Sequence, residues 1–230
     1  MQIKMVIRLL LLIATISLII FYGYVALHQN TAQRLDTGYG VAKSNEIVKL
    51  RIGDVNFSIP KKYIWSREDW SGGVVQGVNI AADLNTMKPF DTSTEKKNKH
   101  VSWDSKLLLM IGERVDLSQN PNEKFSVAAF NRKFSNRPYI VKSASNGLKQ
   151  VIFEPELKTD FHLFFSGEIS SPDFWAECTM AHVKKNSSCS AYFDITNHVY
   201  VQYTFGYSEI HNWKTIRKNV LNLISKLQNK

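Results

Sequence analysis

Residues 9–27, LLLLIATISLIIFYGYVAL, form a run of 19 consecutive positions without a charged side chain. At about 1.5 Å rise per residue, a helix of that length spans roughly 28 Å, close to the ~30 Å hydrocarbon core of a bilayer. The run is apolar on every side, so it lacks the polar stripe of a helix that packs on a soluble core. Lys4 and Arg8 precede it and the first acidic residue is Asp36, a balance that holds the N-terminus in the cytoplasm and sends the rest across. Tyr22 and Tyr24 near the distal end suit an interfacial aromatic belt. A removable signal has about 7–15 apolar residues, and a cut after Ala26 would leave Tyr24 where a small residue is needed. The expectation is an uncleaved transmembrane anchor over residues 1–28, a polar linker over 29–45 and an exported domain over 46–230. The chain is then a single-pass protein of the inner membrane, with its C-terminal domain in the periplasm.

The exported part has the composition of a folded domain. Over the whole chain, 44% of residues are hydrophobic and 12% aromatic, which excludes intrinsic disorder. Two cysteines exclude a disulfide-dense miniprotein and any all-cysteine metal site. Cys178 and Cys189 lie in two strand-like runs, FWAECTMAHV and CSAYFDI, on either side of the turn KKNSS. An oxidising compartment permits a bond between them. It would close a loop of about 12 residues and contribute roughly 3 kcal/mol in the chain-entropy picture.

Alternation identifies most strands. Val48, Leu50 and Ile52 alternate before Gly53-Asp54, and Val55, Phe57 and Ile59 alternate after it, which predicts a hairpin ended by Pro60. Strands are expected over 74–84, 106–113, 139–142, 149–153 and 161–167, while 123–134 suits helix or strand equally. The stretch 85–104, with the run Glu95-Lys96-Lys97-Asn98-Lys99-His100, is long and polar for a connection, a property of functional loops. At the C-terminus Ile210, Trp213, Ile216, Val220, Leu223, Ile224 and Leu227 recur at three- and four-residue spacing, with Ser208 as the expected cap. The fold class is α+β: a mainly antiparallel sheet whose open face is covered by this amphipathic helix.

Catalytic motifs are missing. No G-x-S-x-G elbow, phosphate loop, dinucleotide fingerprint or H-E-x-x-H occurs. The six histidines are dispersed, and convergence of His162, His182 and His198 on a metal is disfavoured. No cofactor or metal is expected. Paired carboxylates occur at Glu154/Glu156 and at Glu68-Asp69, the latter inside WSREDW; glycosidases combine carboxylates with sugar-stacking aromatics. Trp65 and Trp70 in the same segment also suit a protein interface, where tryptophan is favoured as an anchor. Setting aside Lys4 and Arg8 leaves +7 of the formal charge of +9 on the exported part, which favours an acidic protein or anionic envelope surface. Nucleic acid is excluded by the compartment.

The short N-terminal anchor, the hairpin ending IGDVNFSIP, the segment VNIAADLNTMKPF leading to KLLLMIG, the Cys178/Cys189 hairpin and the closing VYVQYTFGYSEIHNWKTIRKNVLNLI together resemble bacterial periplasmic immunity proteins. The resemblance is to those that neutralise effectors of type VI secretion systems, lipase-type effectors included. It implies a protein that is not an enzyme and that occludes the active site of a secreted effector; it assigns no contact residue. The residues expected at the partner surface, from their chemistry, are Trp65, Trp70, Lys96, Lys97, Lys99 and Trp103. Two other classes stay open: a structural component of an envelope secretion or division assembly, and an envelope hydrolase using Glu68 and Asp69.

Overall fold

The computed structural model describes residues 42, 44–90, 105–114, 138–153, 161–169, 171–179 and 187–228. The chain divides into two units, Met1–Tyr39 and Gly40–Lys230, and every described residue belongs to the second. The expected anchor, most of the linker, the segment 123–134 and the carboxylates Glu154 and Glu156 lie outside the described residues. Among those described, no helix is long and apolar enough to cross a membrane.

The predicted hairpin forms first in the chain. Strands β1 (Ile47–Ile52) and β2 (Val55–Pro60) pair antiparallel from Ile52↔Val55 to Ile47↔Pro60. Gly53 sits in the turn at φ 53°, a left-handed conformation that glycine adopts without a Cβ penalty. Val48, Leu50, Ile52, Phe57 and Ile59 are buried, as their alternation requires. The two-residue strand β3 (Gly73–Val74) joins β1 in parallel and completes a three-stranded sheet, β2-β1-β3.

The single strand expected over 74–84 is two. After β3 the Val75 N–H still donates to Arg51 O, whereas Gln76 O already accepts from Glu113 N–H of the larger sheet. Strand β4 (Gly77–Asp83) then belongs to that larger sheet. The handover runs through Gly77, where a Cβ would lie 2.9 Å from Ile111 O.

Among the described residues, eight strands make the larger sheet in the order β4-β5-β11-β10-β9-β8-β7-β6, with every pairing antiparallel. Strand β5 (Lys106–Glu113) is followed by a six-stranded meander: β6 (Tyr139–Ser143), β7 (Lys149–Phe153), β8 (Phe161–Glu168), β9 (Ser171–Thr179), β10 (Ser188–Asp194) and β11 (Val199–Gly206). The meander starts at the far edge and works back until β11 docks on β5, with Tyr203 opposite Leu109 and Val201 opposite Ile111. Strand β11, to which the sequence reading assigned no element, is therefore the seam of the sheet. Cys178 and Cys189 face one another across β9 and β10 and form the expected disulfide, with both residues fully buried.

One face of this sheet carries the main core. Val78, Ile80, Leu109, Ile111, Phe174, Ala176, Ala191, Val201, Tyr203 and Phe205 pack there with the β1–β2 hairpin and the C-terminal helix α1 (Trp213–Leu227). The helix buries Trp213, Ile216, Val220, Leu223, Ile224 and Leu227, each contributing about 1.5–3 kcal/mol by transfer from water. The Trp213 ring lies 4.5 Å from that of Phe174, and its Nε1–H donates to Asn146 O at 3.2 Å. Phe57 of β2 bridges to Gln228 just past the helix. The opposite face has its own smaller cluster of Val151, Phe153, Leu163, Phe165 and Trp175. Strand β8 thus buries Leu163, Phe164 and Phe165 in succession, as a strand covered on both faces does.

The helix begins later than its periodicity suggests. Residues Tyr207–Asn212 wind as a 3-10 turn and α1 starts at Trp213, so Ser208 does not cap it. Asn212 takes the cap position, but its side chain bonds to Glu209 Oε2 at 2.9 Å. Trp213, the first residue of α1, is held to Asn146 O by its indole N–H.

Two outcomes check this packing by urea denaturation. Trp213→Ala is expected to lose about 3–5 kcal/mol, and Trp213→Phe, which keeps the ring contact, about 1 kcal/mol. Replacing both Cys178 and Cys189 by Ala is expected to cost about 2–4 kcal/mol, and an unchanged midpoint would contradict a stabilising cross-strand bond.

Candidate functional site

The segment between β2 and β3 crosses the edge of β4 and presents both predicted tryptophans. It is built from two 3-10 turns, Lys61–Tyr63 and Arg67–Ser71. Ile64 between them is fully buried and bridges to Ile80, while the Trp65 N–H donates to Asn79 O at 2.8 Å. These bonds cover the outer edge of β4, together with Phe90 N–H to Ala81 O and Asp83 N–H to Lys88 O.

Each tryptophan is half-buried and carries cations. The Trp70 Nε1–H donates to Ile64 O at 3.3 Å, and its ring has Lys61 Nζ at 5.3 Å and the Arg67 guanidinium carbon at 5.7 Å. The Trp65 ring has Lys106 Nζ at 4.0 Å, and the same ammonium lies 5.2 Å from the Phe90 ring. Lys106 is only 5% exposed, so its ammonium meets these aromatic faces away from water, an arrangement that strengthens the contact. In the sequence Lys106 is only the start of a strand; its place opposite Asp83 on β4 brings it under Trp65. Lys96, Lys97, Lys99 and Trp103 lie outside the described residues. The described chain leaves at Phe90 and returns at Ser105, whose carbonyl accepts from Leu84 N–H beside this same platform.

Glu68 and Asp69 occupy the second 3-10 turn. The Asp69 carboxyl is pushed above the usual carboxylate range by burial and by the neighbouring Glu68, against the lowering effect of a hydrogen bond from the Asn79 backbone. Asp69 thus ties the turn to β4, and Glu68 points into solvent. His162 and His198 do not meet. His162 sits on β8 in the row that crosses Cys178, Cys189 and Phe205, seven residues along β11 from His198, or about 23 Å of strand. His162 instead bonds Gln150 through Nδ1 at 2.8 Å and packs on Phe164 and Tyr207, while His182 lies outside the described residues. Among the described residues no three His, Cys, Asp or Glu side chains gather as for a metal.

The structure adds polar features that no spacing foretold. Arg114, at the end of β5, is 5% exposed and pairs with Asp194 at the end of β10, its guanidinium carbon lying 5.9 Å from the Tyr200 ring. Burial raises the Asp194 carboxyl above its usual value although Arg114 pulls it down. On the same face the Tyr192 hydroxyl is pushed up to about 12 by burial and then by Glu177 and Tyr200, so it stays protonated at neutral pH. Beside the tryptophan platform, a groove of about 400 Å³ runs between residues 85–88 and α1, lined by Tyr63, Met87, Lys88, Asn222, Leu223 and Lys226 among others. Tyr63 closes its floor by donating to Met87 O at 2.9 Å.

Comparison with known proteins gives one finding at the level of structure. The chain is similar in fold to Smlt3025, an immunity protein of the Stenotrophomonas maltophilia type IV secretion system. The match has a TM-score of 0.59 and 16% identity, and covers 81% of this chain and 95% of that one. No family model and no curated protein matches the sequence.

The Asp69 environment gives a prediction with a definite sign. A carboxyl raised on folding binds more protons in the folded than in the unfolded chain, so its contribution to stability grows as pH falls through its titration range. Asp69→Asn keeps an acceptor for the Asn79 N–H and removes the disfavoured charge. The variant is expected to be at least as stable as the parent at pH 7, with the difference shrinking on acidification, by urea denaturation at several pH values. A loss at pH 7 of about 1.5–3 kcal/mol, the size of a broken charged hydrogen bond, would contradict it.

Proposed function

We propose that the chain is an immunity protein: it binds a secreted antibacterial effector and neutralises it by covering the effector's active site. The observation that carries this reading is the shared fold with Smlt3025 over nearly the whole of that immunity protein. The sequence resemblance to type VI immunity proteins and the fold likeness to a type IV one agree on this class, whichever system delivers the effector. The tryptophan platform suits the role, because aromatic anchors surrounded by cations are the groups that concentrate binding energy at protein interfaces. The buried disulfide and the apolar run at 9–27 support a place on the periplasmic side of the inner membrane, where an incoming effector is met.

A second reading rests on the far edge of the large sheet. Strand β6 has β7 on one side and no described strand on the other, and Ile140 and Val141 are exposed along it. An open edge of this kind accepts a further strand, which favours a structural component of an envelope assembly.

The test is protection. A susceptible bacterium producing the full-length chain is challenged with individual effectors secreted by the source organism, lipase-type enzymes among them. Survival against one effector, with a one-to-one complex, is the expected outcome; undiminished killing by all of them, with no complex, would contradict the proposal. Trp65→Ala is expected to weaken that complex by about 2 kcal/mol, roughly 30-fold in Kd, while the folded chain persists.

A further inference from the structure

The outward face of α1 has a charge pattern that helix stability does not call for. The helix, WKTIRKNVLNLISKL, contains no acidic residue, its first turn included. Lys214, Lys218 and Lys226 are exposed along one side, spread over about 18 Å of helix axis at 1.5 Å per residue. Lys214 stands near the helix N-terminus, where the helix dipole disfavours a cation, and Lys214 and Lys218 are like charges at i, i+4. Lys214 lies against the Trp213 ring at 5.5 Å, and among the described residues no carboxylate pairs with Lys218 or Lys226. Leu221, 40% exposed, lies beside Lys214 on the flank of this side that is turned away from Lys226. The 400 Å³ groove continues the surface from Lys226 across Asn222 to the exposed Lys88, and its Tyr63 wall leads to Trp65 two residues on.

We infer that this basic face, with Leu221 at its flank, docks an acidic protein surface; the inference rests on the immunity reading and identifies the kind of effector surface it takes. Complementary charge steers the encounter and selects the partner, while Leu221 at the flank adds contact area that excludes water. An apolar side chain set among lysines and amides fits a carboxylate-rich protein surface. A bilayer would favour a broader apolar or aromatic row than Leu221 alone supplies.

The test uses the full-length chain in non-ionic detergent, with poly-L-glutamate as the probe and phosphatidylglycerol vesicles as a second ligand. Wild type is compared with Lys214→Glu/Lys218→Glu/Lys226→Glu and with a charge-matched control, Lys49→Glu/Arg51→Glu/Lys142→Glu. All six positions are exposed, so each triple variant is expected to keep the wild-type circular dichroism and melting temperature. The expected result is that the helix variant binds the polyanion at least tenfold more weakly, the control within threefold of wild type, and that wild-type affinity falls steeply with salt. Equal losses in both variants would overturn the inference, as would a helix variant that loses only vesicle binding. An effector neutralised as tightly by the helix variant as by wild type would overturn this docking face and leave the immunity reading standing. Helix-dependent binding of the probe without capture of any effector would support the acidic-partner face and remove the immunity reading.

Discussion

The structure depends on the seam between β5 and β11. Those strands lie far apart in the chain, yet Val201, Tyr203, Leu109 and Ile111 meet there in one buried block. Without that pairing the β4–β5 unit and the six-stranded meander would be separate sheets, each with an open apolar edge. With it, the inner face becomes one surface wide enough to take both the β1–β2 hairpin and α1. Because α1 follows β11 after a single 3-10 turn, docking the strand also delivers the helix to the core it covers.

Sequence pattern reveals local elements better than their partners. Strict alternation made the β1–β2 hairpin readable to the residue, and the apolar block KLLLMIGE gave β5 its observed limits. The cysteines were legible for a different reason: two strand-like runs around a polar turn place them opposite one another. The division of 74–84 was not readable, because it is decided by Gly77 passing close to the Ile111 carbonyl, a contact between distant segments. Ser208 precedes the apolar periodicity as a cap would, but residues 207–212 wind as a 3-10 turn, and Trp213 at the helix start bonds to Asn146, a residue far away in the chain. Strand β11 alternates clearly in the sequence, but its place as the seam, like strand order in general, has no local signature.

The candidate site divides along the same line. Trp65 and Trp70 could be named from a cluster of aromatics and charges, and they do lie on the surface at the sheet edge. Trp70 takes its cations from its own segment, Lys61 and Arg67, whereas Lys106 reaches Trp65 through the register of β4 and β5. The basic row on α1 is the polar side of an amphipathic helix. Its meaning changes once Lys88 and the groove are seen to join it to the tryptophans. The residues proposed for recognition thus lie on the edge of β4 and on the helix that closes the core, both held by the sheet.

The central claim is that the chain acts by occupying its partner, one molecule for one. The most direct measurement titrates a fixed amount of the neutralised effector with the purified full-length chain and records the effector's residual activity at equilibrium. A linear fall that ends at one equivalent, with full activity recovered when the complex is dissociated, is the predicted result. Inactivation by a small fraction of an equivalent, or activity that does not return on dissociation, would show chemical turnover of the effector and contradict the account.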